Sequence, residues 1–315
     1  MQQRQLGSSG LKVSAVGLGT NNFGRRLDYS STELVIKESL NHGINFIDTA
    51  NIYSLGQSEE FIGKAIQSVR EEIVLATKGG GKMESGPNGR GNSKKHLLKE
   101  IDASLKRLQV EYIDLYQVHF PDPETPILET LSALDYAVKQ GKIRYIGCSN
   151  FLGWQMAEAL SISKEYGLES FISTQPEYNL TNRKIETEVI PAAINYDIGI
   201  IPYYPLASGI LTGKYSSITD LPEGTRIAGM PEGPYKDKFL NERNFEILNA
   251  LQPYAKSTGH TISELSIAWL LAQPQVSSVI TGATKPEQIE ANGKAAEWDL
   301  SESELEEIEN LIVGI

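Results

Sequence analysis

Three ionisable side chains of unlike type stand at one kind of place in this sequence, and a fourth stands close by. Asp48 ends the apolar run INFID, Lys78 ends EIVLATK and His119 ends YIDLYQVH, while Tyr53 follows Asp48 by five residues. A lysine beside a buried carboxylate stays charged, because each charge stabilises the other. A cation next to a phenol favours the phenolate, which would lower the Tyr53 pKa and make it a better proton donor near neutrality. A neighbouring histidine can hold a carbonyl or alkoxide oxygen by a hydrogen bond. Singly these residues are ordinary, since Asp, Ser and Asn favour strand-to-helix turns as caps. Together they read as a proton-donating site around one carbonyl oxygen. Residues at equivalent points further along extend the list with Ser149, Asn150, Gln175, Tyr203 and Tyr204.

Other chemistries fit less well. The histidines at 42, 96, 119 and 260 are scattered, with no H-x-H or H-E-x-x-H to bind a metal. A glycosidase needs paired carboxylates, and only Asp48 ends a strand; Glu177, two residues past Gln175, is the nearest second acid. The hydrolase elbow G-x-S-x-G is absent. A Schiff-base aldolase using Lys78 stays open, although an Asp48 partner opposes it by keeping the amine charged.

The elements that must carry these residues alternate. Short apolar strands are read at AVGLGT, INFIDTA, EIVLATK, YIDLYQVH, KIRYIGCSN, FISTQ, GIIPYYP and SSVITG, with helical patterns after each. In TELVIKESLNHG the helical spacing is set by Leu34, Val35 and Leu40, and Gly43 is the stop. SKKHLLKEIDASLKRLQ opens at a Ser93 cap and puts Leu97, Leu98, Ile101, Leu105 and Leu108 on one face. IETEVIPAAINYDIG is helical with an interruption at Pro191, and PEQIEANGKAAEW begins the last helix, with Pro286 near its first position; helices beyond the eight units are also expected. Eight such units predict a closed (β/α)8 TIM barrel, in which chemistry sits at the C-terminal ends of the strands. QQRQLGSSGLKVS reads as a β-hairpin around Gly10 that plugs the barrel bottom. A doubly wound dinucleotide fold expects G-x-G-x-x-G after its first strand, and GLGTNNFG does not supply it. The loop GGGKMESGPNGRGN reads equally as a lid or a plain loop. SSITDLPEGTRIAGMPEGPYKDKFL is long enough to close over a ligand, with Arg226 either meeting a phosphate or solvated.

Composition narrows the partners. The chain has 315 residues, a formal net charge of −11 and one cysteine, Cys148. Without basic clusters, a nucleic-acid or anionic-membrane partner is not expected. A lone cysteine excludes an internal disulfide and suits a reducing cytoplasm. No signal-peptide core or membrane-length apolar run is present. The expectation is one cytoplasmic domain over residues 1–315.

The order and spacing of GINFIDTANIYSLGQSEEFIGKAI, LATKGG, YIDLYQVHFPD, GKIRYIGCSN, STQPEYN and YYPLASGILTGKY resemble the aldo-keto reductase superfamily over nearly the whole chain. PLASGILTGKY and LPEGTR bring the resemblance nearest the bacterial branch that is also similar to potassium-channel β subunits. By that resemblance Asp48, Tyr53, Lys78 and His119 form the catalytic tetrad, with Tyr53 as proton donor. It also implies that Ser149, Asn150 and Gln175 hold a nicotinamide carboxamide and that Tyr203 stacks on its ring. Leu206, Ser208, Gly209 and Lys214 would wrap the pyrophosphate, with Gly19 and Thr20 also at the cofactor. Gly282, Thr284, Lys285, Gln288 and Asn292 would meet the adenosine end, beside a helix N-terminus that favours phosphate. Relatives often carry arginine where Gln288 stands. The implied function is reduction of a small aldehyde or ketone with NADP(H) preferred and NAD(H) also accepted. The alternative is a cofactor-binding regulatory subunit with slow turnover.

Overall fold

The computed structural model describes residues 1–215 and 217–315. An antiparallel hairpin of β1 (Gln3–Gln5) and β2 (Lys12–Ser14) comes first. Eight parallel strands follow: β3 (Val16–Gly19), β4 (Phe46–Asp48), β5 (Val74–Gly79), β6 (Ile113–Val118), β7 (Ile143–Ser149), β8 (Phe171–Gln175), β9 (Gly199–Ile200) and β10 (Val279–Gly282). They lie side by side in chain order, with β10 against β3. The remaining seam is joined by hydrogen bonds from Ser277 N to Ile200 O (2.9 Å) and Ile280 N to Pro202 O (3.0 Å). The expected (β/α)8 barrel is therefore the fold.

The helices are α1 (Tyr29–Asn41), α2 (Gln57–Ala65), α3 (Lys94–Leu108), α4 (Ile127–Lys139), α5 (Gly153–Tyr166), α6 (Val189–Tyr196), α7 (Pro234–Asp237), α8 (Glu242–Ser257), α9 (Ile262–Leu271), α10 (Pro286–Ala295) and α11 (Glu302–Ile312). Ser93 caps α3 by accepting from His96 N, as its position predicts. The last helix is not the one that begins at Pro286 but a separate α11: SESELEEIENLI opens with a Ser301/Glu304 capping box and buries Ile308 and Ile312. Leu34 is also a correction. It is 58% exposed, and α1 buries Val35 and Ile36 instead. The break expected at Pro191 falls earlier, at Glu188 (φ −139°). Pro191 itself sits in the first turn of α6, where a missing N–H costs no helical bond.

Side-chain alternation along the strands makes two cores. Phe46, Val74, Ala76, Leu115, Ile201 and Ile280 point into the barrel, where Leu6 and Val13 of the hairpin join them. The hairpin thus plugs the N-terminal end. Its tight turn uses Gly7 (φ 55°) rather than Gly10, because a Cβ at 7 would stand 2.2 Å from Ile172 O while Gly10 faces open space. The second core, containing Val16, Leu18, Ile47, Leu75 and Tyr116, fills the layer between strands and helices. Among the described residues no helix is long and apolar enough to cross a membrane.

Candidate active site

The same alternation decides what reaches the open end of the barrel. Asp48 continues the inward set of Phe46, and Lys78 that of Val74 and Ala76. Gln117 and His119 continue that of Leu115. Registers of Asp48 on Ala76 and Lys78 on Gln117 bring these side chains into one layer. Lys78 Nζ donates to Asp48 Oδ2 at 2.7 Å and to Thr49 O at 2.8 Å. Asp48 Oδ1 accepts from Gln175 Nε2 (2.9 Å) and Gln117 Nε2 (3.1 Å). Gln117, which sequence reading did not single out, thus shares the Asp48 carboxylate with Gln175. Its signal was the inward position two residues before His119.

Tyr53 sits above this layer. Its ring centroid is 5.3 Å from Lys78 Nζ and 6.1 Å from the His119 ring, which meets it edge-on. The residues after it, Ser54 (φ 51°), Leu55 (φ 56°) and Gly56 (φ 95°), form a left-handed run. For the two non-glycines this costs about 1–2 kcal/mol each. The Ser54 hydroxyl donates to Phe23 O at 2.8 Å and helps hold the turn.

The electrostatics correct one expectation. Burial and then the Asp48 carboxylate push the Tyr53 hydroxyl well above the ordinary phenol value, and the cation that opposes them is Arg226. Lys78 does not act as a free charge beside Tyr53, because its ammonium is bound to Asp48 and Thr49. The shift keeps the phenol in its protonated form at neutral pH. Burial, and next Lys78, push His119 down to about 3, so the imidazole is neutral at physiological pH. His119 Nδ1 is buried without a partner among the described residues, and the ring stacks on Phe120 at 4.3 Å.

His119 therefore makes stability pH-dependent. A histidine held neutral in the fold gains its proton only on unfolding, so stability is full above the unfolded pKa near 6.5 and falls as pH drops towards 3. Between pH 7 and 5 this linkage removes about 2 kcal/mol. Denaturant titrations of wild type and His119→Gln at both pH values should differ by that amount. Equal losses in the two proteins would mean that His119 ionises in the folded state.

Above Asp48, Tyr53, Lys78 and His119 opens a cavity of about 720 Å³, within the usual range for small-molecule sites. Of the sequence candidates, Gly19, Thr20, Asp48, Tyr53, His119, Ser149, Asn150, Gln175, Tyr203, Leu206, Ser208, Gly209, Lys214, Gly282, Thr284 and Gln288 line it. Lys78 lies beneath the floor, fully buried. Lys285 and Asn292 stand outside the lining. The wall is itself bonded: Ser149 Oγ donates to Gln175 O (2.7 Å), Asn150 Nδ2 to His119 O (3.0 Å) and Tyr203 OH to Asn150 Oδ1 (2.9 Å). Gln288 caps its own helix, its Oε1 accepting from Thr284 N (2.7 Å) and Lys285 N (3.2 Å).

The segment after β9 supplies the rest of the wall; its Ser216 lies outside the described residues. Arg226 is not a solvated arginine. It lies 4.9 Å over the Tyr204 ring and donates to the Tyr204 hydroxyl, which also meets Tyr235 OH at 2.8 Å. Lys238 is hydrogen-bonded to Glu177, which also lines the cavity. The loop after β5 lines none of it among the described residues and is tied down at its base by Gly91 N to Gly80 O (2.9 Å) and Asn92 Nδ2 to Phe120 O (2.8 Å).

One end of the cavity suits an anion. Ser208 (φ 56°) and Gly209 (φ 104°) turn the backbone sharply, and the Ser208 hydroxyl is buried without a partner among the described residues. A Cβ at Gly209 would stand 3.0 Å from Lys214 Nζ, so the glycine keeps the ammonium close against bare backbone. An unpaired hydroxyl, open backbone and a cation together fit a phosphate group.

Comparison with known proteins meets this geometry. Residues 15–313 match the model of the Aldo/keto reductase family. The chain belongs to the aldo/keto reductase family. It is 40% identical over 305 residues to a probable voltage-gated potassium channel subunit beta of Arabidopsis thaliana, covering 94% of this chain and 92% of that one. The L-glyceraldehyde 3-phosphate reductase of Escherichia coli K12 is 35% identical over 305 residues, at 94% and 87% coverage. An uncharacterized oxidoreductase, YrpG, of Bacillus subtilis is 35% identical over 325 residues, at 100% and 97%. With two oxidoreductases among such relatives, this aldo/keto reductase is read as an oxidoreductase.

Proposed function

We propose that the protein reduces an aldehyde or ketone to an alcohol with a reduced nicotinamide nucleotide, as its family generally does. The observation that carries the reading is the Tyr53 ring standing over the buried Lys78–Asp48 pair and edge-on to His119 at the cavity floor. A reduced nicotinamide nucleotide, when bound, would supply the hydride for the carbonyl carbon. Tyr53 donates its proton to the carbonyl oxygen as that oxygen gains charge, and the developing alkoxide, more basic than a phenolate, draws it across. His119 orients the oxygen by a hydrogen bond, and its neutrality leaves Tyr53 as the acid. Ser149, Asn150 and Gln175 would hold the carboxamide, Tyr203 would pack on the ring, and Ser208, Gly209 and Lys214 would take the diphosphate. A panel of small aldehydes, ketones and sugars with each reduced nucleotide, followed at the nicotinamide absorbance, tests this. Turnover with none of them would refute the reading.

The second reading, a regulatory subunit with slow turnover, is favoured by the potassium-channel relative. Rapid oxidation of bound nucleotide by aldehyde followed by slow steady-state cycling would identify it.

NADPH is expected to bind more tightly than NADH. Lys285 is exposed at the N-cap of α10, next to Thr284 and near Gln288 on the cavity wall. A helix N-terminus favours a 2′-phosphate, and Lys285 adds a charge-assisted contact worth about 1.5–3 kcal/mol, or roughly ten- to a hundredfold in affinity. Tryptophan-quenching titrations should show Lys285→Ala weakening NADPH alone. Equal wild-type affinities for the two nucleotides would overturn the assignment.

A further inference from the structure

A buried ionic cluster that the mechanism above does not use lies behind Asp48, Tyr53, Lys78 and His119. Arg107, near the end of α3, donates from Nε to Glu59 Oε2 at 2.6 Å, and its Nη2 is 3.9 Å from Glu100 Oε2. The side chains of Glu59 and Glu100 are 0% and 4% exposed, and that of Arg107 is 18% exposed. Glu59 Oε1 accepts from Thr77 Oγ1 at 2.6 Å, and Glu100 Oε2 accepts from Asn51 Nδ2 at 2.9 Å. Two carboxylates share one guanidinium here. Such a cluster is poor at stabilising a fold, since apolar side chains of similar volume usually serve as well.

Its geometry points to another role. Asn51 stands two residues before Tyr53, and its N–H also donates to Lys78 O at 3.1 Å. Glu59 stands six residues after Tyr53 in the first turn of α2. Between them runs the left-handed stretch Ser54, Leu55, Gly56. Arg107 lies flat against the end of that stretch: a Cβ at Gly56 would meet its Cδ at 2.6 Å and its Nε at 3.0 Å. One side chain therefore grips the Tyr53 turn from behind, directly through Glu59 and Gly56 and, beside Glu100, near the carboxylate that holds Asn51.

We propose that Arg107 is a positioning residue for Tyr53, holding a strained turn in the one conformation that presents the phenol hydroxyl beside His119. This rests on Tyr53 being the proton donor of the proposed reaction. The planar fork of arginine is needed because it meets Glu59 while lying along Gly56, whereas lysine keeps the charge as a point without the flat contact.

Arg107→Lys tests it with the single positive charge kept between the two carboxylates. The expected result is a fall in kcat of about ten- to a hundredfold, with KM and nucleotide affinity unchanged within about twofold. In a Tyr53→Phe background the same substitution should cost nothing further, since the donor to be positioned is gone. Equal losses in both backgrounds would mean general damage and overturn the proposal. A readout independent of turnover is fluorotyrosine at position 53. Its single sharp 19F resonance should broaden or split with Arg107→Lys, and an unchanged line would overturn the proposal whether or not a carbonyl is reduced. Absence of turnover in every background together with a perturbed line would count against the reductase reading and leave the clamp standing.

Discussion

Tyr53→Phe slows carbonyl reduction by about 10²–10⁴-fold or more while the protein folds and binds nucleotide as before, because general acid catalysis is typically worth that much. The ring and its contacts survive in phenylalanine: the edge-on packing on His119 and the position over Lys78 are made by the ring. What disappears is one O–H. Neither neutral His119 nor Lys78, sealed below the cavity floor, can take over. Steady-state rates with a good aldehyde, together with nucleotide titration by fluorescence, check this. More than about a tenth of wild-type kcat remaining would remove Tyr53 as the proton donor.

Lys78→Met is the more damaging change to the fold. It leaves Asp48, 2% exposed, with hydrogen bonds from Gln117 and Gln175 and no cation. Removing one partner of a buried ion pair typically costs about 3–5 kcal/mol. The burial that depresses the Lys78 pKa shows how weakly solvated the pair is. Adding Asp48→Asn should recover much of the loss, as a neutral amide needs no counter-charge. The same cycle reads the chemistry. With Lys78 gone, the unneutralised Asp48 charge pushes the Tyr53 hydroxyl higher still, so the alkaline limb of the pH–rate profile moves up and the neutral rate falls. The double variant should bring the limb back. Denaturation curves and pH–rate profiles of the three variants check both parts, and an unmoved alkaline limb would confine Lys78 to a structural role.

Much of this protein was legible before its structure, because a parallel barrel is written in short-range signals. Each strand is a brief apolar run, each helix a 3.6-residue stripe, and the barrel rule sends chemistry to the strand ends. Asp48, Lys78 and His119 were recognisable for that reason, and so was the Ser93 cap. The helix that sequence reading did not place, α11, is acidic and mostly exposed, so its apolar stripe is thin.

Interactions between distant segments were decided only by tertiary structure. No local pattern shows that Gln117 and Gln175, 58 residues apart, would both donate to Asp48 Oδ1. Nor does one show that Arg226 would lie on Tyr204, or that Arg107 would grip the turn after Tyr53. The direction of the Tyr53 pKa belongs here too. Residue types alone suggested that the paired Lys78 charge would lower the Tyr53 pKa, whereas in the fold burial and the Asp48 carboxylate raise it. Electrostatic effects depend on distance, burial and prior partners, and those are set by the closing of the barrel, which brings β4, β5, β6 and β8 around one axis.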